Sequence, residues 1–150
     1  MNRIKEDLYQ QCIQYVEDYI LAAKQAIDDA TESANDDTKS SAGDKYETGR
    51  EMMQQEIDRN RKQLDEAIRM KNILLSIDQK QISDTVQNGS LVITNLGKFY
   101  ISISRGQIFA DGNNYFAVSA ISPIGAKLIR QKKGYKFDFN GKIFKIEDIF

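Results

Sequence analysis

The chain has 150 residues, enough for one domain or two small ones, and 21 Lys and Arg against 22 Asp and Glu leave a net charge of −1. It contains no His and one Cys, which excludes Ser-His-Asp and Cys-His relays, His-held zinc or haem, an internal disulfide and any multi-thiolate metal site. Catalysis, if any, would rest on carboxylates, Lys, Tyr, Ser, Thr or a hard metal. The N-terminus lacks the apolar stretch of a signal peptide, and nowhere is there an apolar run of about 18 residues, so the expectation is a cytoplasmic protein without membrane contact.

The near-zero charge hides an asymmetry. Residues 1–80 carry 12 basic and 17 acidic side chains, and residues 81–150 carry 9 and 5. Two modules are expected, 1–80 and 81–150, with different electrostatic tasks.

From the N-terminus, Leu8, Cys12, Val16, Tyr19, Ala23, Ala26 and Ala30 recur at steps of 3 and 4. That rhythm is a helical seam close to a heptad repeat. It narrows to Ala toward residue 30, where a partner helix can approach closely. Cys12, Tyr15 and Tyr19, on or beside this seam, read as packing. Residues 31–49 hold almost no large apolar side chain. A second seam then runs through Met53, Ile57, Asn60, Leu64, Ala67 or Ile68, Lys71, and Leu74 or Leu75. Two seams joined by a polar connection predict an antiparallel coiled-coil hairpin, a finger with its tip near 31–47.

After residue 80 the style changes. Leu91–Ile93, Phe99–Ile103, Tyr115–Val118, Tyr135–Phe139 and Lys142–Ile146 are short β-rich runs, punctuated by Asn88-Gly89, Asp111-Gly112 and Asn140-Gly141. Ser122-Pro123 opens a short helix to about Arg130, with Ser122 at the N-cap and Pro123 at the first helical position. The fold class is therefore α+β: a helical hairpin, then a small antiparallel β domain with one short helix.

The run Ser119-Ala120-Ile121-Ser122-Pro123-Ile124-Gly125-Ala126-Lys127-Leu128-Ile129, with Gly134 beyond it, resembles the C-terminal domain of the Gre-type transcript cleavage factors (GreA and GreB). Lys127 stands where that family usually has a small residue, and Tyr135 where it has an acidic one. Lys45-Tyr46-Glu47-Thr48-Gly49-Arg50-Glu51 is similar to the family's Tyr-containing segment just past the finger tip. The order of parts agrees, finger first and an FKBP-like β domain second. An FKBP-like fold alone is no warrant for prolyl isomerase activity.

The resemblance implies a factor whose finger enters the secondary channel of RNA polymerase, near the RNA 3′ end, while the β domain docks outside. It implies no activity of the chain on its own, no intrinsic cofactor and no small-molecule substrate. Tip acids would help hold a Mg²⁺ shared with the polymerase active centre, which cleaves backtracked RNA. Two-metal phosphodiester hydrolysis needs hard oxygen ligands and no His. Aligned on Tyr46 without gaps, the family's tip acids fall on Lys39 and Ala42. The carboxylates left for catalytic and metal-binding roles are Asp36, Asp37 and Asp44. A non-cleaving regulator in the same channel is the alternative, and a coiled-coil adaptor that never meets polymerase is a rival of another class.

Each candidate also has a structural reading. Asp28, Glu32 and Asp36 stack like charges at i, i+4 and i+8, costing about 0.2–0.5 kcal/mol per neighbouring pair, and Asp36 and Asp37 meet the unfavourable end of the helix dipole. They form either a solvated face or an acidic tip. Asp44 and Glu47 fit a capping box before the second helix. Ser122, Pro123, Ile124 and Gly125 start a helix and, by the resemblance, lie near the polymerase contact with Lys127, Lys132 and Lys133. Between residues 125 and 145, seven basic side chains meet one acid, Asp138. They form a solvated face, or a patch for an acidic polymerase surface or RNA.

Overall fold

The computed structural model describes the backbone of residues 1–37 and 43–150, and the side chains of residues 1–35 and 48–150. Its elements are α1 (Asn2–Asp37), α2 (Gly43–Leu75), β1 (Leu91–Thr94), β2 (Lys98–Ser102), β3 (Gly106–Ala110), β4 (Asn113–Ser119), α3 (Pro123–Leu128), β5 (Lys136–Phe139) and β6 (Lys142–Ile149). The fold is α+β, two long helices followed by one six-stranded sheet with a short helix. The chain divides into two compact units, Val16–Lys71 and Met1–Tyr15 with Asn72–Phe150. No helix among the described residues is long and apolar enough to cross a membrane.

In the unit Val16–Lys71, the seam spacing places Val16, Ala23 and Ala30 of α1 and Ile57, Asn60 and Ala67 of α2 in the buried interior. Ala67 rather than Ile68 takes the inward position, because Ile68 is exposed. Thr31, Ala34 and Asn35 of α1 line one groove with Arg50, Gln54, Ile57 and Arg61 of α2. The end of one helix thus lies beside the start of the other, and the pair is antiparallel.

In the other unit the strands are ordered β3-β4-β2-β1-β6-β5. Every neighbouring pair is antiparallel except β2 and β4, which run parallel with Phe99 beside Phe116 and Ile101 beside Val118. Both long hairpins close on two-residue turns, Asp111-Gly112 (φ 50° and 75°) and Asn140-Gly141 (φ 52° and 77°). Positive φ at both central residues matches the twist of the flanking strands, which is why Asp or Asn with Gly stands there.

Four consecutive β2 residues, Phe99 to Ser102, are buried. Successive side chains point to opposite faces, so this sheet is covered on both. On one face Val92, Phe99, Ile101, Phe137, Phe144 and Ile146 form a core with Leu128 of α3. On the other, Tyr100, Ser102, Ile108 and Tyr115 are buried, and the first turns of α1 bring Cys12 to Ser102. Each fully buried large apolar side chain contributes about 1.5–3 kcal/mol.

The sequence reading has five strands where the structure has six. The additional one, β3, buries only Ile108 and Ala110 and leaves Gln107 and Phe109 exposed. Two inward positions, one of them Ala, make too weak an alternation to stand out from a loop.

Candidate functional site

The Ser119–Leu128 segment is built by hydrogen bonds around one hydroxyl. Ser122 is extended (φ −67°, ψ 159°) and caps α3, its Oγ accepting the Gly125 N–H at 3.1 Å and donating to the Ser119 carbonyl at 2.6 Å. The Ser122 N–H reaches the same carbonyl at 3.1 Å. Pro123 opens the helix, where its missing N–H costs nothing. Gly125 is buried against the Ser119 carbonyl oxygen, with no room for a Cβ. The helix stops after Leu128, because Ile129 is extended (ψ 135°) and Arg130 is left-handed (φ 67°).

This geometry sorts the predicted docking residues. The Ser122 hydroxyl is used by the cap, Gly125 is buried, and Ile124 packs against the core. Pro123 and Lys127 are exposed. Beside them stands Ile121, 93% exposed, which sequence reasoning did not single out. An isolated Ile in a strand-rich region reads as core, and nothing in its neighbours signals otherwise.

Lys132 and Lys133 follow on the surface. Lys132 forms an ion pair with Asp84 at 3.8 Å between two exposed side chains, a contact worth little in water. Thr85 and Lys132 are bridged, and Val86 and Gln131 continue the pairing, so backbone bonds rather than charge fix this stretch. Farther along, Lys136 stands directly opposite Lys145 in the β5–β6 ladder.

The side chains of the tip acids Asp36, Asp37 and Asp44 and of Glu47 lie outside the described residues, as do the positions Lys39 and Ala42 altogether. Among the described residues no three acidic, Cys or His side chains group to hold a metal.

A buried polar group that the sequence reading treated as plain packing lies where α1 meets the sheet. The Cys12 thiol is fully buried 3.9 Å from the Ser102 hydroxyl. Burial pushes it up to about 11, against smaller opposing effects of the Ser102 hydrogen bond and the Arg105 charge. Such a thiol stays protonated and unreactive near neutral pH. Burial also raises the neighbouring Tyr100 phenol, with Cys12 and Tyr9 adding to the shift, and burial lowers the Lys5 ammonium. The Arg105 guanidinium lies 5.4 Å from the Tyr15 ring centroid and donates to the Gln107 carbonyl at 2.7 Å, while its buried Nε has no hydrogen-bond partner among the described residues. These residues hold the helix on the sheet and offer no nucleophile.

No family model matches the chain, and no curated protein matches it. Among solved structures it is similar to one described as "Structure of the transcription factor Gfh1", at 18% identity over 94% of this chain and 92% of that one, with a TM-score of 0.35. A likeness that loose adds nothing to the fold, which rests on the element order and strand pairing described above.

Proposed function

We propose that this chain is a Gre-type transcription factor that binds RNA polymerase. Its finger enters the secondary channel, its β domain docks outside, and the polymerase's own active centre then cleaves backtracked RNA near the 3′ end. The chain is no enzyme by itself and works in the cytoplasm, where the polymerase is. The supporting observation is the Ser122-Pro123-Ile124-Gly125 turn, the segment that resembles the Gre C-terminal domain. It is locked from beneath by the Ser122 cap and the Gly125–Ser119 contact while Ile121, Pro123 and Lys127 face outward.

The chemistry asked of the finger is delivery of carboxylate oxygen. The part of α1 in the helical unit, residues 16–37, spans about 33 Å at 1.5 Å per residue. Asp36 and Asp37 end that helix and Asp44 stands in the first turn of α2. Their carboxylates are the hard oxygen donors that Mg²⁺ takes, and the metal belongs to the polymerase.

The deciding experiment is RNA cleavage in a stalled, backtracked elongation complex from the same organism. Shortened 3′ ends that vanish when Asp36, Asp37 and Asp44 are changed to Ala would support the full reading. Binding without shortening would leave a channel-occupying regulator. Neither binding nor shortening would overturn the proposal and leave the adaptor reading.

A further inference from the structure

The two margins of the sheet are treated differently. In an antiparallel ladder, successive residues turn their N–H and C=O groups alternately toward the partner strand and away from it. On β3, the Asp111-Gly112 turn pairs Ala110 with Asn113, so Gln107 and Phe109 are the residues facing away from β4. Both of their carbonyls are occupied, Gln107 by Arg105 Nη1 at 2.7 Å and Phe109 by Gln11 Nε2 at 2.8 Å. A strand arriving at this edge would have to displace two side chains.

On β5, the Asn140-Gly141 turn pairs Phe139 with Lys142, and the Ile146 N–H bonds to the Tyr135 carbonyl. Tyr135, Phe137 and Phe139 therefore face β6, and Lys136 and Asp138 turn their backbone groups outward. Among the described residues none takes those groups, and both residues are exposed. This is the open edge.

The side chains around it select what can pair there. Lys136 and Lys145 are exposed, directly opposed and on one face, a like-charge pair that weakens the hairpin unless a counter-charge arrives. The next position along that face pairs Asp138 with Ile143, which is 64% exposed. A second copy paired antiparallel about Phe137 would set each Lys136 opposite the other copy's Asp138 and leave both Lys145 side chains without a counter-charge, whereas an acidic segment supplies one to Lys136 and Lys145 together.

We propose that β5 is a docking edge for an extended acidic peptide segment of a partner protein, added as a seventh strand. The backbone groups of Lys136 and Asp138 would pair with it. An acidic residue would lie opposite Lys136, within reach of Lys145, and an apolar or basic one two residues away, beside Asp138 and Ile143. This surface does not depend on the polymerase reading, and failure of either leaves the other standing.

The test is a ¹⁵N-detected titration of the full chain with a blocked hexapeptide of Val and Thr carrying one Glu. The same peptide with Lys in place of Glu, and oligouridylate, are the comparisons. The Glu peptide is expected to shift the Lys136 and Asp138 amides and slow their hydrogen exchange. Asp138→Pro, which removes an outward N–H and spares the bonds to β6, should weaken it about tenfold. Lys136→Glu should reverse the preference between the two peptides, and this variant decides the matter if Asp138→Pro fails to fold. No shift at β5, equal response to both peptides, or binding untouched by Lys136→Glu would overturn the proposal. So would oligouridylate shifting the same lysines with no effect from Asp138→Pro, since that would make the surface a phosphate-binding one.

Discussion

Gly125 and Ser119 meet so closely that no side chain fits between them, and a Cβ on Gly125 would stand well inside the van der Waals radius of the Ser119 carbonyl oxygen. The same carbonyl receives the Ser122 hydroxyl, so a substitution at Gly125 displaces the cap as well. Gly125→Ala should therefore destabilise the β domain by about 2–3 kcal/mol, in the range of core overpacking. Ser122→Ala should cost about 1 kcal/mol, the usual loss of an N-cap, and Ser122→Asp should recover most of it. Urea midpoints at constant slope measure all three. A neutral Gly125→Ala would mean that the turn relaxes freely.

Cys12 gives stability a dependence on alkaline pH. Its thiol ordinarily titrates at 9.0 and in the fold at about 11. Between those values the unfolded chain has lost the proton and the native one keeps it, so stability present below pH 9 is lost as pH rises toward 11. The full effect is on the order of 2–3 kcal/mol. Tyr100 acts in the same direction at higher pH, and Lys5, whose ammonium burial disfavours, acts in the opposite one. The informative quantity is therefore the difference between the protein and Cys12→Ala, which should shrink steadily above pH 9. A constant difference would show that the thiol titrates normally in the fold.

The parts most legible in the sequence were those fixed by local rules. Spacing placed Val16, Ala23 and Ala30 on one buried stripe, Asn140-Gly141 announced a turn needing positive φ twice, and Ser122-Pro123 marked a helix start. What a stripe faces is not local. Leu8 and Cys12 continue the same rhythm as Val16, yet Cys12 sits beside Ser102 of β2, because apolar spacing says which face is buried and not what covers it. The parallel β2–β4 pairing was equally silent, since it depends on β3, whose two inward residues carry too little pattern to be seen. At the candidate site, the cap was legible from Ser122, Pro123 and Gly125. The exposure of Ile121 was not, because the residue type points the other way.

Asn60 lies on the inner stripe of α2 at 9% exposure, between Ile57 and Leu64. A polar residue at such a position costs stability and fixes the register of paired helices. Asn60→Leu should raise the thermal stability of the helical unit by about 1 kcal/mol while loosening its register. The two effects separate in one sample series. The melting curve reports the first, and doubled or broadened amide signals from Val16–Lys71 report the second. Higher stability with a single sharp set of signals would mean that Asn60 plays no part in register.

Ile121 separates docking from folding. Because it is almost wholly exposed, Ile121→Asp removes no packing and should leave stability within about 0.5 kcal/mol. The same holds for Lys132→Glu, whose only ion pair among the described residues, with Asp84, is open to water. If the face beside Pro123 and Lys127 meets polymerase, the apolar side chain is desolvated there, and Ile121→Asp should weaken binding about tenfold or more. Lys132→Glu should weaken it chiefly at low salt, since exposed charges are screened within about 10 Å at 0.1 M. Competition binding to core polymerase at two ionic strengths reads both effects. Unchanged binding for Ile121→Asp, with the fold intact, would place the docking face elsewhere on the β domain.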